Sequence, residues 1–259
     1  MKLKINDFHL GFDILGKVKP PIVLIHGFGL DRTIWHPLAS AHLEHQQVIL
    51  PDMRGHGESD APGGPYQMSL LADDLAQLLE MLGIGRAIVC GHSMGGYIAL
   101  AFADQYPQML SGLGLITTNA NADPDDKRAA RYTLIEQIKE RGPIVVADNL
   151  APRLSDHQSV VDQTHHLINK THPQGLIGAL WGMAERPDRT VSLKDIRVPS
   201  LVVAGEADKI TKFDEAEAMA EALPQSRFLG LPGIGHMPMA EAPAELGQGL
   251  QVLIQQVTR

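Results

Sequence analysis

One stretch constrains the fold more than any other part of the chain: residues 87–103, A-I-V-C-G-H-S-M-G-G-Y-I-A-L-A-F-A. Its first four residues form a short apolar run, which is typical of a buried parallel strand. From Met94 onward the stretch is rich in Ala, Leu, Ile and Phe and contains no proline, which predicts a buried helix. Between strand and helix lies a G-x-S-x-G turn formed by residues 91–95.

The physics of this turn explains its residue types. The chain must pass from a strand into a helix within a few residues, so we expect Ser93 to adopt a sparsely populated backbone conformation that the fold supports. Gly91 and Gly95 flank the serine because a Cβ at either position would collide with the neighbouring strand or helix. The Ser93 hydroxyl should then lie above the sheet, at the positive end of a helix dipole.

Strand and helix patterns alternate on both sides of this stretch. An edge hairpin is predicted over residues 3–15, and buried strands over residues 22–25, 47–50, 87–90, 112–116, 201–204 and 227–231. Helices are predicted over residues 31–42, 69–81 with Ser69 as N-cap, 94–103, 214–222 and 243–256. Such alternation predicts an α/β fold with a mostly parallel central sheet and helices on both faces.

The alternation stops between residues 119 and 196. Helical patterns cover residues 127–141, 144–151, 159–169 and 173–185, and no buried-strand run separates them. We interpret residues 119–196 as a helical lid inserted into a core domain of residues 1–118 and 197–259, because long insertions in compact domains are usually functional.

Composition narrows the class of function. The chain has 259 residues and a net charge of −8, which argues against nucleic acid and anionic membrane surfaces as partners. No apolar run approaches the roughly 20 residues of a membrane span, and no signal peptide is visible. The single cysteine, Cys90, lies inside a predicted strand, where we expect a small buried hydrophobe. We therefore expect a cytoplasmic protein, either a monomer or a small homo-oligomer.

Polar residues that directly follow two predicted strands are the candidates for the base and the acid that would activate Ser93. A serine hydroxyl becomes a good nucleophile when a base takes its proton and a third group orients that base. Asp208 comes just after the strand at 201–204, and His236 follows the next strand, so both should reach the carboxyl edge of the sheet, where Ser93 lies. Glu206 and Asp214 are the rivals of Asp208, but Glu206 is too close to the strand end and Asp214 lies at a helix start.

Other residue types complete the predicted site. The backbone N–H groups of Met94 and Phe28 should form an oxyanion hole, because Met94 begins a helix and glycines on both sides of Phe28 let its backbone approach a substrate. Four side chains are predicted to contact substrate: Phe28, Trp35, Trp181 and Met237. The histidines of the insertion, His157, His165, His166 and His172, lack a coherent set of partner ligands, so we predict no metal site and no cofactor.

Five segments carry a resemblance to a known family: HGFGLDRTIWHPL, PDMRGHGESD, GHSMGGYIALAFA, VVAGEADKI and GIGHMPMAEAP. Across nearly its whole length the chain resembles the α/β-hydrolase superfamily, and within it the esterase, enol-lactonase, haloperoxidase and carbon–carbon hydrolase group. In this fold the triad residues follow the order Ser, acid, His, as Ser93, Asp208 and His236 do. A serine at position 93 departs from epoxide hydrolases and haloalkane dehalogenases, which carry aspartate there. The chain also departs at residues 210–212, Ile-Thr-Lys, where a proline commonly follows the acid.

The resemblance implies a serine carboxylic-ester hydrolase with a small-molecule ester substrate, and three hypotheses remain open. The first is a carboxylesterase acting on small to medium acyl esters. The second is a hydrolase of an enol-lactone or of a carbon–carbon bond in a ring-cleavage metabolite, which would require a cation such as Arg131, Arg153 or Arg186 for an acidic substrate. The third is a signalling binder that keeps the triad but turns over slowly. The apolar residues of the insertion favour short acyl groups over charged metabolites.

Overall fold

The computed structural model describes residues 1–258. Its strands are β1 (Lys2–Ile5), β2 (Phe8–Leu15), β3 (Val18–Ile25), β4 (Gln46–Pro51), β5 (Ala87–His92), β6 (Leu110–Ile116), β7 (Ser200–Gly205) and β8 (Ser226–Leu231). Its α-helices are α1 (His36–His42), α2 (Met68–Met81), α3 (Met94–Gln105), α4 (Asp125–Arg141), α5 (Ile144–Leu154), α6 (Gln158–Lys170), α7 (Pro173–Ala184), α8 (Phe213–Ala222), α9 (Pro238–Glu241) and α10 (Pro243–Val257). Short 3₁₀ helices cover Arg32–Trp35, Pro107–Met109 and Val191–Asp195.

The strands form one sheet in the order β1-β2-β4-β3-β5-β6-β7-β8. The pairs β1–β2 and β2–β4 are antiparallel, and every other pair is parallel. The predicted α/β architecture and the edge hairpin are therefore confirmed. Because the strands from β3 to β8 are parallel, the segments that follow them leave from one edge of the sheet, as predicted for a ligand site.

The core is built around β5 and α3. All six residues of β5 are buried, and so are ten of the twelve residues of α3, which explains why this helix is apolar on every face. Cys90 is fully buried in β5, as expected for a small hydrophobe, and burial raises the pKa of its thiol. The sheet thus holds the G-x-S-x-G turn between two buried elements.

Two helix starts differ from the predictions. Helix α2 begins at Met68, so Ser69 lies inside its first turn, and no side chain caps this helix. The predicted helix over residues 31–42 is divided into a 3₁₀ turn and α1. Asp31 caps the 3₁₀ turn by accepting from the Thr33 N–H at 2.9 Å, and Pro37, which lacks an N–H, stands at the start of α1.

Four helices, α4 to α7, lie between β6 and β7, and together with the adjoining loops we call residues 119–196 the helical insertion. Helix α7 packs through Gly175, Gly178 and Gly182, which share one face, against the segment that ends at Tyr66. A Cβ at Gly175 would overlap the carbonyl oxygen of Gly55. A Cβ at Gly178 would overlap the ring of Tyr66, and one at Gly182 would overlap the Tyr66 carbonyl oxygen. The Tyr66 N–H also donates to the Gly178 carbonyl at 2.9 Å, so the insertion is joined to the core by backbone contact.

This contact generates a prediction for Gly182→Ala. In an exposed helix the substitution would stabilise by about 1 kcal/mol. Here the new methyl group meets the Tyr66 carbonyl, and overpacking of this kind costs about 1–3 kcal/mol. We expect the free energy of unfolding, measured by urea denaturation, to fall by up to about 2 kcal/mol once the two effects are added.

Gly63→Ala is the matched control, because nothing lies within 4 Å of a Cβ built at Gly63. We expect this variant to unfold at the urea concentration of the parent protein. A gain in stability for Gly182→Ala would show that the contact between α7 and the core is loose.

Candidate active site

Ser93 forms the whole connection between β5 and α3. Its backbone angles are φ 52° and ψ −114°, a region that L-residues rarely adopt, as the strand–turn–helix pattern predicts. A Cβ at Gly91 would overlap the Gly95 carbonyl, and a Cβ at Gly95 would lie 2.6 Å from the Ile25 carbonyl oxygen. Glycines at both positions therefore allow the close backbone approach that holds this strained turn.

Asp208 and His236 form a buried pair at the same edge of the sheet. His236 Nδ1 lies 2.7 Å from Asp208 Oδ2, and both side chains are about 1% exposed. Burial raises the pKa of Asp208, but hydrogen bonds from His236 and Thr211 and the charge of His236 lower it by more, so it lies below its usual range. An ionised Asp208 accepts the Nδ1–H of His236, which leaves Nε2 as the nitrogen that can accept a proton.

The loop after Asp208 accounts for the missing proline. The N–H groups of Ile210 and Thr211 donate to Asp208 Oδ1 at 2.7 and 3.1 Å, and the Thr211 hydroxyl donates to Oδ2. A proline at position 210 or 211 would remove one of these donors. The rivals Glu206 and Asp214 are exposed, and in residues 1–258 neither pairs with His236.

Ser93 and His236 line one cavity of about 230 Å³ between the sheet edge and the helical insertion. The core also contributes Phe28, Leu30, His92, Tyr97 and Ile210. The insertion contributes apolar side chains, cationic side chains and one amide: Lys127, Ala130, Arg131, Leu134, Val146, Asn149, Leu150, Arg153, Leu154, Leu180 and Met183. The cavity is small beside the roughly 300–1,000 Å³ of ordinary ligand pockets, so it suits a small substrate.

Phe28 and Met94, the residues predicted to form an oxyanion hole, both lie close to Ser93. Met94 is the first residue of α3, so its N–H has no partner within the helix. Phe28 lies in the loop after β3 and lines the cavity, and a Cβ on the preceding Gly27 would lie 3.4 Å from Ser93 Cβ. This loop is held by His56, whose Nε2 accepts the Gly29 N–H at 3.2 Å.

His26, which directly follows β3, also holds this loop. Its Nδ1–H donates to the Gly27 carbonyl at 2.8 Å, and its Nε2 accepts the Met53 N–H at 2.9 Å. Burial lowers the pKa of His26, and it lowers the pKa of His56 to about 3, so both rings are neutral and keep these tautomers.

Three residues that the sequence did not point to hold the site in place. The Thr117 hydroxyl donates to the His236 carbonyl at 3.1 Å, and His92 Nε2–H donates to the same carbonyl at 2.9 Å. The Thr118 hydroxyl donates to the Ser93 carbonyl at 2.8 Å. Burial and the nearby charge of His236 lower the pKa of His92 to about 3, so this ring stays neutral. The sequence signal that could have identified Thr117 and Thr118 is that these two hydroxyl residues directly follow β6, at the carboxyl edge of the sheet.

Three residues predicted to contact substrate lie outside the cavity. Trp35 is fully buried in the core, with its ring edge-on to His92 at 6.4 Å between centroids. Met237 points away from the neighbouring His236 into a separate cavity lined by residues such as Ile34 and Met239. Trp181 is 40% exposed and packs on Tyr132.

The position of Trp181 follows from helix geometry. Helix α7 turns about 100° per residue, and it presents Leu180 and Met183 to the cavity, so residue 181 faces outward. Trp35, Trp181 and Met237 are therefore removed from the predicted binding site, whereas Phe28 lines the cavity.

Other features of the chain bear on metals and membranes. In residues 1–258 no three His, Cys, Asp or Glu side chains are grouped so that they could hold a metal ion. Of the histidines in the insertion, His165 pairs with Asp148, and His172 caps α7 by accepting the Gln174 N–H. Over the same described part of the chain, no helix combines the length and the apolar character needed to span a bilayer.

Comparisons with known proteins agree with this geometry. The alpha/beta hydrolase fold family matches residues 20–243. The 3-oxoadipate enol-lactonase 2 of Acinetobacter baylyi is 26% identical over 259 residues, which cover 97% of this chain and 95% of the relative. A malate-bound thermophilic esterase from Thermogutta terrifontis has a TM-score of 0.95 at 36% identity, with 100% of both chains covered. The enol-lactonase of Burkholderia xenovorans LB400 has a TM-score of 0.91 at 25% identity, covering 98% of this chain and 100% of its own.

The contacts of Thr117 generate a prediction about positioning. Thr117→Val keeps the shape of the side chain but removes the hydroxyl that donates to the His236 carbonyl. A misplacement of about 1 Å can cost roughly 10²-fold in rate. One hydrogen bond from His92 remains, so we expect a smaller loss of about tenfold in kcat for ester hydrolysis, with little change in KM.

Thr117→Ser is the conservative control, because it restores the hydroxyl, and it should recover most of the lost kcat. If Thr117→Val and Thr117→Ser are equally impaired, the hydroxyl does not position His236, and the role of this residue lies in its packing.

Proposed function

The chain belongs to the alpha/beta hydrolase fold family, and we propose that it is a serine carboxylesterase that acts on small to medium acyl esters. One observation carries the proposal: Ser93 and His236 share a cavity, and His236 is hydrogen-bonded to the buried Asp208. A nucleophile, a base and an orienting acid in this arrangement are the parts that acyl transfer needs.

In the proposed mechanism, Ser93 Oγ attacks the carbonyl carbon of the ester while Nε2 of His236 takes the hydroxyl proton. The carbonyl oxygen becomes an oxyanion that the N–H groups of Phe28 and Met94 stabilise, each contributing about 3–4 kcal/mol. Collapse of this intermediate breaks the ester C–O bond, and His236 returns its proton to the leaving alcohol. A water molecule, activated by His236, then attacks the acyl group on Ser93 and releases the acid.

Asp208 supports both halves of this cycle. It fixes the tautomer in which Nε2 of His236 accepts a proton, and its negative charge stabilises the imidazolium that forms. The N-terminus of α3 adds the positive end of its dipole at the oxyanion position.

The helical insertion takes the role of a lid in this proposal. It covers residues 119–196 between the two parts of the core domain, residues 1–118 and 197–259, and it supplies more than half of the cavity wall. Substrate choice should therefore depend on the insertion, and bond cleavage on the core.

A second candidate function is enol-lactone hydrolysis. A relative that covers 97% of this chain is named an enol-lactonase, and so is a solved structure at TM-score 0.91. An enol-lactone is an internal ester, so the same residues would open it by the same steps, and the leaving group would be an enol that remains attached to the acyl group. Rates on a panel of 4-nitrophenyl esters beside an enol-lactone would decide between the two substrate types, and slow turnover of all of them would favour a signalling binder.

Ser93→Ala tests the nucleophile. Because this change removes the attacking oxygen and leaves the backbone turn in place, we expect ester hydrolysis and labelling by a fluorophosphonate probe to disappear from a protein with a normal melting temperature. Ser40→Ala, an exposed position on α1, is the matched control and should keep full labelling and turnover. More than a few per cent of parental activity in folded Ser93→Ala would falsify the assignment.

Asp208→Asn tests the acid. An amide donates a hydrogen bond to Nδ1 and so forces the wrong tautomer on His236, and the same change in a known triad lowers kcat by about 10⁴. We expect a loss of this order in steady-state hydrolysis of a 4-nitrophenyl ester. Asp214→Asn and Glu206→Gln are the controls, and a larger loss in either of them would transfer the role of the acid to that residue.

A further inference from the structure

The wall of the cavity that faces Ser93 carries an unexpected concentration of positive charge. Lys127 and Arg131 line it from α4, and Arg153 lines it from α5. No aspartate or glutamate of residues 1–258 lines the same cavity. The chain as a whole has 30 acidic and 22 basic residues, so this local excess runs against its composition.

Within residues 1–258, the two cations on α4 form ion pairs with one and the same carboxylate. Asp123, whose side chain is fully buried, forms ion pairs with Arg131, with Arg186 at 2.9 Å and with Lys127 at 3.7 Å. One negative charge is thus shared among three positive charges, of which Arg186 also interacts with Asp188, so the cluster keeps a positive excess. Arg186 reaches this carboxylate from behind the wall, where its guanidinium stacks 4.1 Å above the ring of Tyr97.

Arg153 is the cation that this network does not hold. Its side chain is exposed, and within the described residues the guanidinium forms one hydrogen bond, a donation to the Lys209 backbone carbonyl at 3.3 Å. Within residues 1–258 it forms no ion pair with a carboxylate, and Asp156, which is close in sequence, forms an ion pair with Lys209. Most donors of the guanidinium therefore remain free to bind a ligand at the cavity.

The surroundings favour a carboxylate as that ligand. A guanidinium presents its donors as a planar fork that fits the two oxygens of a carboxylate. Leu150 and Leu154 lie on either side of Arg153 on α5 and line the same cavity. These leucines supply apolar surface for the hydrocarbon part of such a ligand.

We infer that the natural substrate is an ester or lactone that carries a carboxylate, which binds to Arg153 and faces the positive charge of Lys127 and Arg131. The inference rests on the proposed function, and it deepens that function by naming the class of substrate. The leucines that line the cavity beside these cations suit a few methylene carbons between the carboxylate and the scissile bond. A substrate with a carboxylate replaces the expectation from the sequence that the site favours short acyl groups over charged metabolites.

Two pairs of matched esters test the inference. For a charge on the acyl side, mono-(4-nitrophenyl) glutarate is compared with its neutral isostere, 4-nitrophenyl 5-methylhexanoate. For a charge on the alcohol side, 4-carboxyphenyl butyrate is compared with 4-isopropylphenyl butyrate. We expect kcat/KM to be about tenfold or more higher for the anionic member of at least one pair, and this preference should weaken as salt is added, because salt screens charge.

Arg153→Met removes the charge and keeps most of the side-chain stem. For this variant we expect the ratio of kcat/KM for the anionic ester to kcat/KM for the neutral ester to fall by about tenfold, because hydrogen bonds between charged groups are among the stronger ones. The change should appear mainly in KM, because Arg153 is inferred to bind the carboxylate and not the reacting atoms. Arg128→Met is the matched control, since Arg128 lies on α4 outside the cavity lining and pairs with Asp125. This control should leave both rates unchanged.

A binding measurement separates this inference from the proposed function. In the Ser93→Ala protein, glutarate should raise the melting temperature and neutral glutaramide should not, and the added Arg153→Met change should abolish the glutarate effect. Loss of ester hydrolysis in every assay would overturn the proposed function, while the melting curves still decide on the anion site. Equal rates within both ester pairs, together with no effect of glutarate on melting, overturn the inference and leave the esterase proposal standing.

Discussion

The structure depends on a close backbone approach at the end of β5. Ser93 is held at φ 52°, and such a conformation costs on the order of 1–3 kcal/mol. It persists because Gly91 and Gly95 let β5, α3 and the end of β3 come together without a Cβ between them. The Ser93 N–H donates to the Ile116 carbonyl, and the Thr118 hydroxyl donates to the Ser93 carbonyl, so the strained residue is also tied to β6. The direction of the serine hydroxyl is therefore fixed by the sheet rather than by a flexible loop.

Those parts of the site that follow from local pattern could be predicted. The G-x-S-x-G turn has a backbone requirement that only particular residues meet, and parallel strands bring Asp208 and His236 to one edge whatever the details of packing. Side-chain direction was harder to predict. Trp181 lies in an apolar helix, but its neighbours Leu180 and Met183 face the cavity and leave it exposed. Thr117 escaped notice because its hydrogen bond joins residues 119 positions apart in the chain, a pairing that appears only in the folded sheet.

One loop of the core connects the oxyanion side of the site to the helical insertion. His56 accepts the Gly29 N–H beside Phe28, and the adjacent Gly55 touches Gly175 of α7. The insertion also reaches the Phe28 loop directly, since the Thr171 hydroxyl donates to the Gly29 carbonyl at 2.9 Å. A shift of the insertion would therefore be transmitted to the backbone that is proposed to bind the oxyanion. The segments proposed to carry the reaction and the substrate choice are therefore connected by backbone and side-chain contacts.

The charges around His236 bear on the proposed reaction as well as on binding. The ring must become positive when it takes the serine proton, and burial keeps its neighbour His92 neutral, so no second imidazolium opposes this step. Asp208 offers one compensating charge, and the oxyanion offers another. The cations on α4 and α5 act in the opposite direction, because an excess of positive charge in the same cavity disfavours a new cation. A carboxylate on the substrate would reduce that excess before His236 is protonated, so an anionic substrate gains in the transition state as well as in the initial complex.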